Sequence, residues 1–233
     1  KYARGHVIVL GGPAMCGAAR LAASGARRAG AGLVSIAATG GSGDIYRAAA
    51  SPGVIVADAD PPEALLADAR LDPWVCGPGL SAEDVRAWLP ALLAAGRRVV
   101  ADAGVFAAYA GAPDALRGAA VLTPHAGEFA RVFGKPARDH LSAARAAAAR
   151  TGAVAVLKGA DTVIAAPDGR AAINANAPPW LATAGAGDVL SGIVAGLLGQ
   201  GMAAWEAACA AVWLHGEAAA LAGPGLIAED ITP

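Results

Sequence analysis

The sequence predicts an α/β domain in which a mainly parallel central sheet carries helices on both faces. Three observations lead there. Short β-branched and apolar runs recur along the chain, the segments between them are mostly of helical composition, and the runs read as strands buried on both faces. A chain of 233 residues suits one large domain with a sizeable core. Neither an internal repeat nor a linker divides it, so residues 1–233 are read as a single domain.

Val7-Ile8-Val9-Leu10 opens the pattern. It stops at Gly11-Gly12-Pro13 and is followed by an alanine-rich segment to about Arg28, so strand, tight turn and helix come in that order. The rhythm repeats at Leu33 to Ile36, Val54 to Val56, Trp74 to Cys76, Arg98 to Val100, Val121 to Thr123 and Val154 to Leu157. Thr162 to Ala165 and Ala171 to Ile173 then flank Pro167-Asp168-Gly169-Arg170, where Asp-Gly predicts a hairpin and an antiparallel edge. A loop over 174–187 leads to two last helices, roughly 187–200 and 203–222, joined at Gln200-Gly201.

Hydrophobic residues make up 56% of the chain and charged residues 16%, but the excess is largely alanine and glycine, so the core should be packed closely from small side chains. The richest apolar run, Val189 to Leu198, is about half of the ~20 residues that a membrane span needs, and no membrane segment is expected. A net charge of −1, with no block of lysine or arginine and few aromatics, argues against nucleic acid as a partner. Any anionic ligand must be held locally. Cys16, Cys76 and Cys209 are widely spaced and in no C-x-x-C pair, so neither a disulfide framework nor a zinc site is expected, and a reducing cytoplasm fits. The chain opens at Lys1 without a signal-peptide pattern and is read as a portion of a longer polypeptide.

Open α/β sheets bind ligands beyond the carboxyl ends of their strands. The residues directly after each run are therefore the candidates: Gly11-Gly12, Gly77-Pro78-Gly79, Asp102, Thr123-Pro124-His125-Ala126-Gly127-Glu128, and Lys158-Gly159-Ala160. Each also has a plainer reading. The glycines can be tight turns, Ser81-Ala82-Glu83-Asp84 is a capping-box-like helix start, Asp102 can cap a helix, and Glu128 can complement a helix dipole. Lys158 sits in an apolar run, as suits a cation reaching a phosphate, although a lysine snorkelling from a strand end would look the same. His125 follows a proline at a strand end and is not placed like a core histidine. His6 and His140 read as surface residues and His215 as a helical residue among apolar neighbours; none is assigned chemistry. No G-x-S-x-G elbow and no metal-ligand spacing is present.

The loop Thr183-Ala184-Gly185-Ala186-Gly187-Asp188 carries the strongest signal. Its small residues let backbone N–H groups converge, and the helix that starts there adds partial positive charge at the same point, which makes an anion site. A carboxylate there would repel a phosphate unless a base is needed. The plainer reading of Asp188 is a first-turn acid, worth roughly 0.3–1 kcal/mol. The reading adopted is a proton removed beside a phosphoryl group, with Asp188 as base and the amides of Gly185 and Gly187 as donors.

These residues resemble known motifs. Gly185-Ala186-Gly187-Asp188 resembles the G-x-G-D signature of ribokinase-like enzymes. The ordered set Gly11-Gly12, Gly77-Pro78-Gly79, Asp102-Ala103, Thr123 to Glu128, Lys158 to Thr162 and Gly185 to Gly192 resembles the NAD(P)H-hydrate dehydratase family over nearly the whole chain. The chain departs from that family at Gly104, where a second acid is usual, and at Pro178-Pro179-Trp180, where the broader family often has Pro-Gly-Met.

The resemblance implies a ribokinase-like three-layer α/β/α sandwich. It implies that ADP or ATP, with Mg2+ as charge neutraliser, phosphorylates the C6 hydroxyl of hydrated NADH or NADPH, and that phosphate then leaves. It places Asp188, Gly185 and Gly187 in catalysis. Gly12, Gly77, Gly79, Asp102, His125, Glu128, Asn176 and Asp188 would contact the hydrated dinucleotide, and Lys158, Gly159, Ala160, Asp161, Thr162 and Gly187 the nucleotide; no residue is assigned as a metal ligand. It further implies a homo-oligomer and a possible fused or partner epimerase domain. Two other readings of the same loop remain: a small-molecule kinase on this fold, and a catalytically silent nucleotide-binding module.

Overall fold

The computed structural model describes residues 1–60, 62–135 and 139–231. Among them a short 3-10 turn (Tyr2–Arg4) leads into β1 (His6–Gly11), α1 (Cys16–Arg28), β2 (Leu33–Ala38), α2 (Gly43–Ala49), β3 (Ile55–Asp58) and α3 (Pro62–Leu66). The middle runs β4 (Trp74–Cys76), α4 (Ala82–Ala94), β5 (Val99–Ala101), α5 (Gly104–Ala108), β6 (Val121–Leu122), α6 (Ala126–Phe133) and α7 (His140–Thr151). It closes with β7 (Val154–Leu157), β8 (Val163–Ala165), β9 (Ala171–Ile173), α8 (Ala186–Gly199) and α9 (Ala204–Ala222).

The strands form one sheet in the order β3-β2-β1-β4-β5-β6-β7-β8-β9. Pairings from β3 through β7 are parallel, and β7-β8 and β8-β9 are antiparallel, as the Asp-Gly turn demands. In that turn Gly169 takes a φ of +92°, and Ala166 N–H donates to Arg170 O at 2.9 Å. The β1 run reads apolar throughout because alternate residues serve opposite faces. Val7 and Val9 pack with α1, α8 and α9, whereas Ile8 and Leu10 pack with α4 and α5. Helices α6 and α7 extend the second layer over β7 and β8 through Phe129, Ala147, Leu157 and Val163. The architecture is the expected three-layer sandwich.

Two features position the functional end. The chain winds outward from β1 to β3 and then returns to lay β4 on the other side of β1, so the strand order reverses there. That is the place where open sheets form ligand crevices. Across it Gly12 and Gly79 touch backbone to backbone: a Cβ on Gly12 would lie 2.8 Å from Gly79 O. The second feature is α8, which lies across β1, β4 and β5 and packs most intimately on α1. A Cβ on Gly192 would lie 2.0 Å from Ala22 O, and one on Gly196 2.7 Å from Ala26 O. The small residues foreseen in composition thus let two helices approach at backbone distance.

The structure shifts several strand bounds by one or two residues and corrects other details. β5 is Val99–Ala101, one residue later than the run at Arg98 suggested; the Arg98 carbonyl still accepts from Trp74 N–H at 2.9 Å while its side chain pairs with Asp72. His6 is half-buried, with Nε2 2.7 Å from Ser35 Oγ on the neighbouring strand, and is not a surface residue. No helix among the described residues is long and apolar enough to cross a membrane.

Candidate active site

The carboxyl ends of β5, β6 and β7 and the N-terminus of α8 meet at Lys158, and the turns after β1 and β4 adjoin them through Gly12, Gly77 and Gly79. Lys158 N–H donates to Pro124 O at 2.8 Å, and a β-bridge between His125 and Lys158 prolongs the β6-β7 pairing past its last strand residues. The ammonium then reaches across to Asp102 Oδ1 at 3.0 Å and lies 4.0 Å from Glu128 Oε2. On its other side is the glycine loop, where a Cβ on Gly187 would lie 3.0 Å from Lys158 Nζ. Burial alone would push the Lys158 pKa down, but Asp102, Glu128 and Asp188 outweigh it and hold the group charged.

Asp188 is the third residue of α8. The helix begins after Gly185, which takes the left-handed conformation (φ +87°) as N-cap. Glycine is needed there for its backbone angle and for space, since a Cβ would stand 2.6 Å from Leu21 Cδ1. The first amides of a helix have no intrahelical acceptor. In α8, Ala186 N–H donates to Thr183 O at 3.4 Å and Val189 N–H to Gly185 O at 3.2 Å, leaving the amides of Gly187 and Asp188 for a ligand. Burial, chiefly, raises the Asp188 pKa to about 6; the charges of Asp102 and Glu128 add to the rise and Lys158 opposes it. A carboxylate poised there is ionised at neutral pH yet basic enough to take a proton.

Asp102, read from sequence as a substrate contact, is 1% exposed, and its carboxylate is engaged by Lys158. Ala103 follows in a strained conformation (φ +44°). At Gly104 an added Cβ would lie 2.9 Å from both Gly77 O and Leu80 O, so an acid at this position has no room in this backbone. Gly77 (φ +125°) is equally constrained, a Cβ there falling 1.8 Å from Asp102 O.

His125 is the N-cap of α6, a role that sequence reasoning missed because histidine is not a usual capping residue. Its Nδ1 accepts from Gly127 N–H at 3.0 Å and Glu128 N–H at 3.3 Å, while Glu128 Oε2 accepts from His125 N–H at 2.8 Å. The imidazole remains more than half exposed on the rim. Glu128 is nearly buried; desolvation raises its pKa against the pull of Lys158. In the segment after Lys158, Thr162 Oγ1 donates to Gly159 O at 3.0 Å and accepts from Gly159 N–H at 3.2 Å, closing a small loop. Asp161 lies 3.2 Å from His140 Nδ1.

Asn176 stands apart from this cluster. Its Nδ2 donates to Trp213 O and Glu217 Oε1, both at 2.9 Å, so it ties the loop before α8 to α9. His215 on α9, given no role from sequence, is buried with Nε2 2.9 Å from Ala186 O. A signal for it existed: a histidine on an apolar helix face must find a polar partner. Tyr46 was missed too; its hydroxyl donates to Gly12 O at 2.8 Å and braces that turn.

The three-layer α/β sandwich and its strand order make this a ribokinase-like fold. The fold agrees with that of Arabidopsis thaliana ribokinase bound to ribose and ATP (TM-score 0.65, 11% identity, 97% of this chain and 95% of that one), a likeness of fold alone. Residues 6–225 match the family model for NAD(P)H-hydrate dehydratase. The chain belongs to the NAD(P)H-hydrate dehydratase family.

The ADP/ATP-dependent NAD(P)H-hydrate dehydratase of Bacillus subtilis, co-crystallised with ATP/Mg2+, superposes with a TM-score of 0.81 at 31% identity over 99% of this chain and 87% of that one. The bifunctional NAD(P)H-hydrate repair enzyme Nnr of Moorella thermoacetica is 40% identical over 92% of this chain and 44% of its own length. The ADP-dependent (S)-NAD(P)H-hydrate dehydratase of Neisseria meningitidis is 45% identical over 48% of this chain and 42% of its own. The chain thus spans less than half the length of the bifunctional relative.

Proposed function

We propose that this protein uses ADP or ATP to dehydrate (S)-NAD(P)H-hydrate, restoring NADH or NADPH. The observation that carries this reading is Asp188 at the start of α8, a partly buried carboxylate beside unengaged amides and a held ammonium. Asp188 takes the proton of the C6 hydroxyl as its oxygen attacks the terminal phosphorus of the nucleotide. The Gly187 and Asp188 amides and Lys158 face the negative charge that spreads over the transferring phosphoryl oxygens. The oxygen–phosphorus bond to the nucleotide breaks, releasing AMP from ADP or ADP from ATP. The lone pair of the ring nitrogen then expels phosphate from C6, and loss of a proton from C5 re-forms the ring double bond. Hydroxide would leave poorly at that step, and phosphate leaves well.

In this reading Gly12, Gly77, Gly79 and the exposed His125 line the dinucleotide crevice, and the 158–162 loop lies against the nucleotide. Asp102 and Glu128 act through Lys158. Asn176 acts through its hold on α9. Among the described residues no group of three or more histidine, cysteine or carboxylate side chains could hold a metal alone. Mg2+ would accompany the nucleotide phosphates, and Glu128 and Asp188, whose charges act on Lys158, are the carboxylates that could face it. Its charge would offset that of the phosphates. A fused or partner epimerase domain would keep both hydrate epimers usable and would fit relatives named bifunctional, and self-association is tested by sedimentation.

Hydrated NADH or NADPH mixed with ADP or ATP and this protein should regain the absorbance of the reduced nicotinamide with release of free phosphate. A stable phosphorylated product would instead make the protein a kinase, and nucleotide binding without turnover a silent module. Asp188→Asn should lower turnover by roughly 10²–10⁴-fold with nucleotide affinity nearly intact; unchanged turnover would refute the mechanism.

A further inference from the structure

His215 makes a contact that the reaction as described does not use. It is buried on α9, and its Nε2 lies 2.9 Å from the carbonyl oxygen of Ala186. A carbonyl only accepts, so Nε2 carries the proton and donates. The Ala186 carbonyl and the Gly187 N–H belong to one planar peptide unit, and in a helix the two point in opposite directions along the axis. The donor from α9 therefore grips the back of the peptide whose N–H faces the anion hole.

We propose that His215 is a positioning residue that fixes and polarises the Ala186–Gly187 peptide, so that the Gly187 N–H is aimed at the transferring phosphoryl group. Rigid donors stabilise a transition state because they need not reorganise as charge develops, and a hydrogen bond to one end of an amide strengthens the bond made by the other. The surrounding contacts brace the grip. Gly216 brings α9 against the loop, a Cβ there falling 2.2 Å from Asn176 Oδ1. Asn176 donates to Trp213 O and Glu217, and Trp180 Nε1 to Ala219 O at 2.9 Å. Burial, chiefly, lowers the His215 pKa to about 4, so no charge there competes with Lys158 at neutral pH.

The test rests on the dehydratase reading but can be separated from it. In steady-state assays of the intact protein, His215→Phe should lose roughly 10- to 100-fold in kcat, short of removing a donor outright, with KM for nucleotide and hydrate within about 2-fold. His215→Gln, whose amide can reach the place of Nε2, should recover most of the rate; His215→Asn, whose amide mimics Nδ1, should not. Titration calorimetry with ADP alone and with ADP plus aluminium fluoride, a mimic of the transferring phosphoryl group, gives the second readout. The variant should lose affinity for the mimic and keep it for ADP. Wild-type rates in His215→Phe, no recovery in His215→Gln, or equal losses for both ligands would overturn the proposal. If His215→Phe does not fold, the Gln and Asn variants decide by the same comparison. If the wild type does not turn over hydrated NADH, the dehydratase reading fails, and mimic binding still judges His215.

Discussion

Asp188 is under two opposed demands, one from folding and one from chemistry. Its pKa of about 6 in the folded protein exceeds the ordinary value of about 3.9 for an unfolded chain. The folded state therefore favours the protonated carboxyl. That contribution is full below about pH 4 and lost as pH rises through about 6. The proposed reaction needs the ionised form, so kcat/KM of the free enzyme should fall on the acid side with an apparent pKa near 6. Asp102→Asn should move that limb to lower pH, because a like charge is removed and Lys158 is released toward Asp188. By the same linkage Asp188→Asn should stabilise the protein by roughly 1–2 kcal/mol at pH 7.5 and by almost nothing at pH 4; urea unfolding at the two pH values measures the difference. Asp188 could be singled out from sequence because an acid directly behind Gly-Ala-Gly contradicts an anion site locally. No such local contradiction marks His215, whose partner lies 29 residues earlier in the chain.

At the scale of elements, the contact between α1 and α8 sets where the site can be. Gly25, Gly192 and Gly196 let the helices meet backbone to backbone, and α8 in turn presents Gly187 and Asp188 to Lys158. Gly192→Val should destabilise the fold by about 1–3 kcal/mol or more through overpacking, read as a lower urea midpoint. Activity should fall beyond what the lost folded fraction explains, because the N-terminus of α8 is displaced. The alanine and glycine excess announced close packing, but not which helices would use it. The same limit applies to α6. Thr-Pro-His-x-Gly-Glu is read from sequence as a ligand motif, whereas its His125 and Glu128 also cap the helix reciprocally, and a cap is visible only once both backbone amides are placed.

At the scale of the molecule, the sheet reverses its order between β1 and β4 and brings the ends of β5, β6 and β7 and the start of α8 to a single lysine. A nucleotide held there binds only the folded chain. Saturating ADP, at about 100 times its Kd, should therefore stabilise it by about 2.7 kcal/mol and raise Tm by roughly 5–10 °C. Asp188→Asn should keep most of that shift, and thermal unfolding with and without ADP checks it. The layers, the parallel sheet and its antiparallel edge were legible in sequence, since strand periodicity, turn residues and small side chains are properties of neighbouring residues. The chemical identity of the strand ends was legible for the same reason. Tertiary structure alone decided which of those ends face each other: that Asp102 is buried against Lys158, that Glu128 stands beside it, that Asn176 is tied to α9, and that position 104 has no space for an acid. Burial and charge pairing depend on groups tens of residues apart being brought within a few ångströms, and only the folded chain specifies those distances.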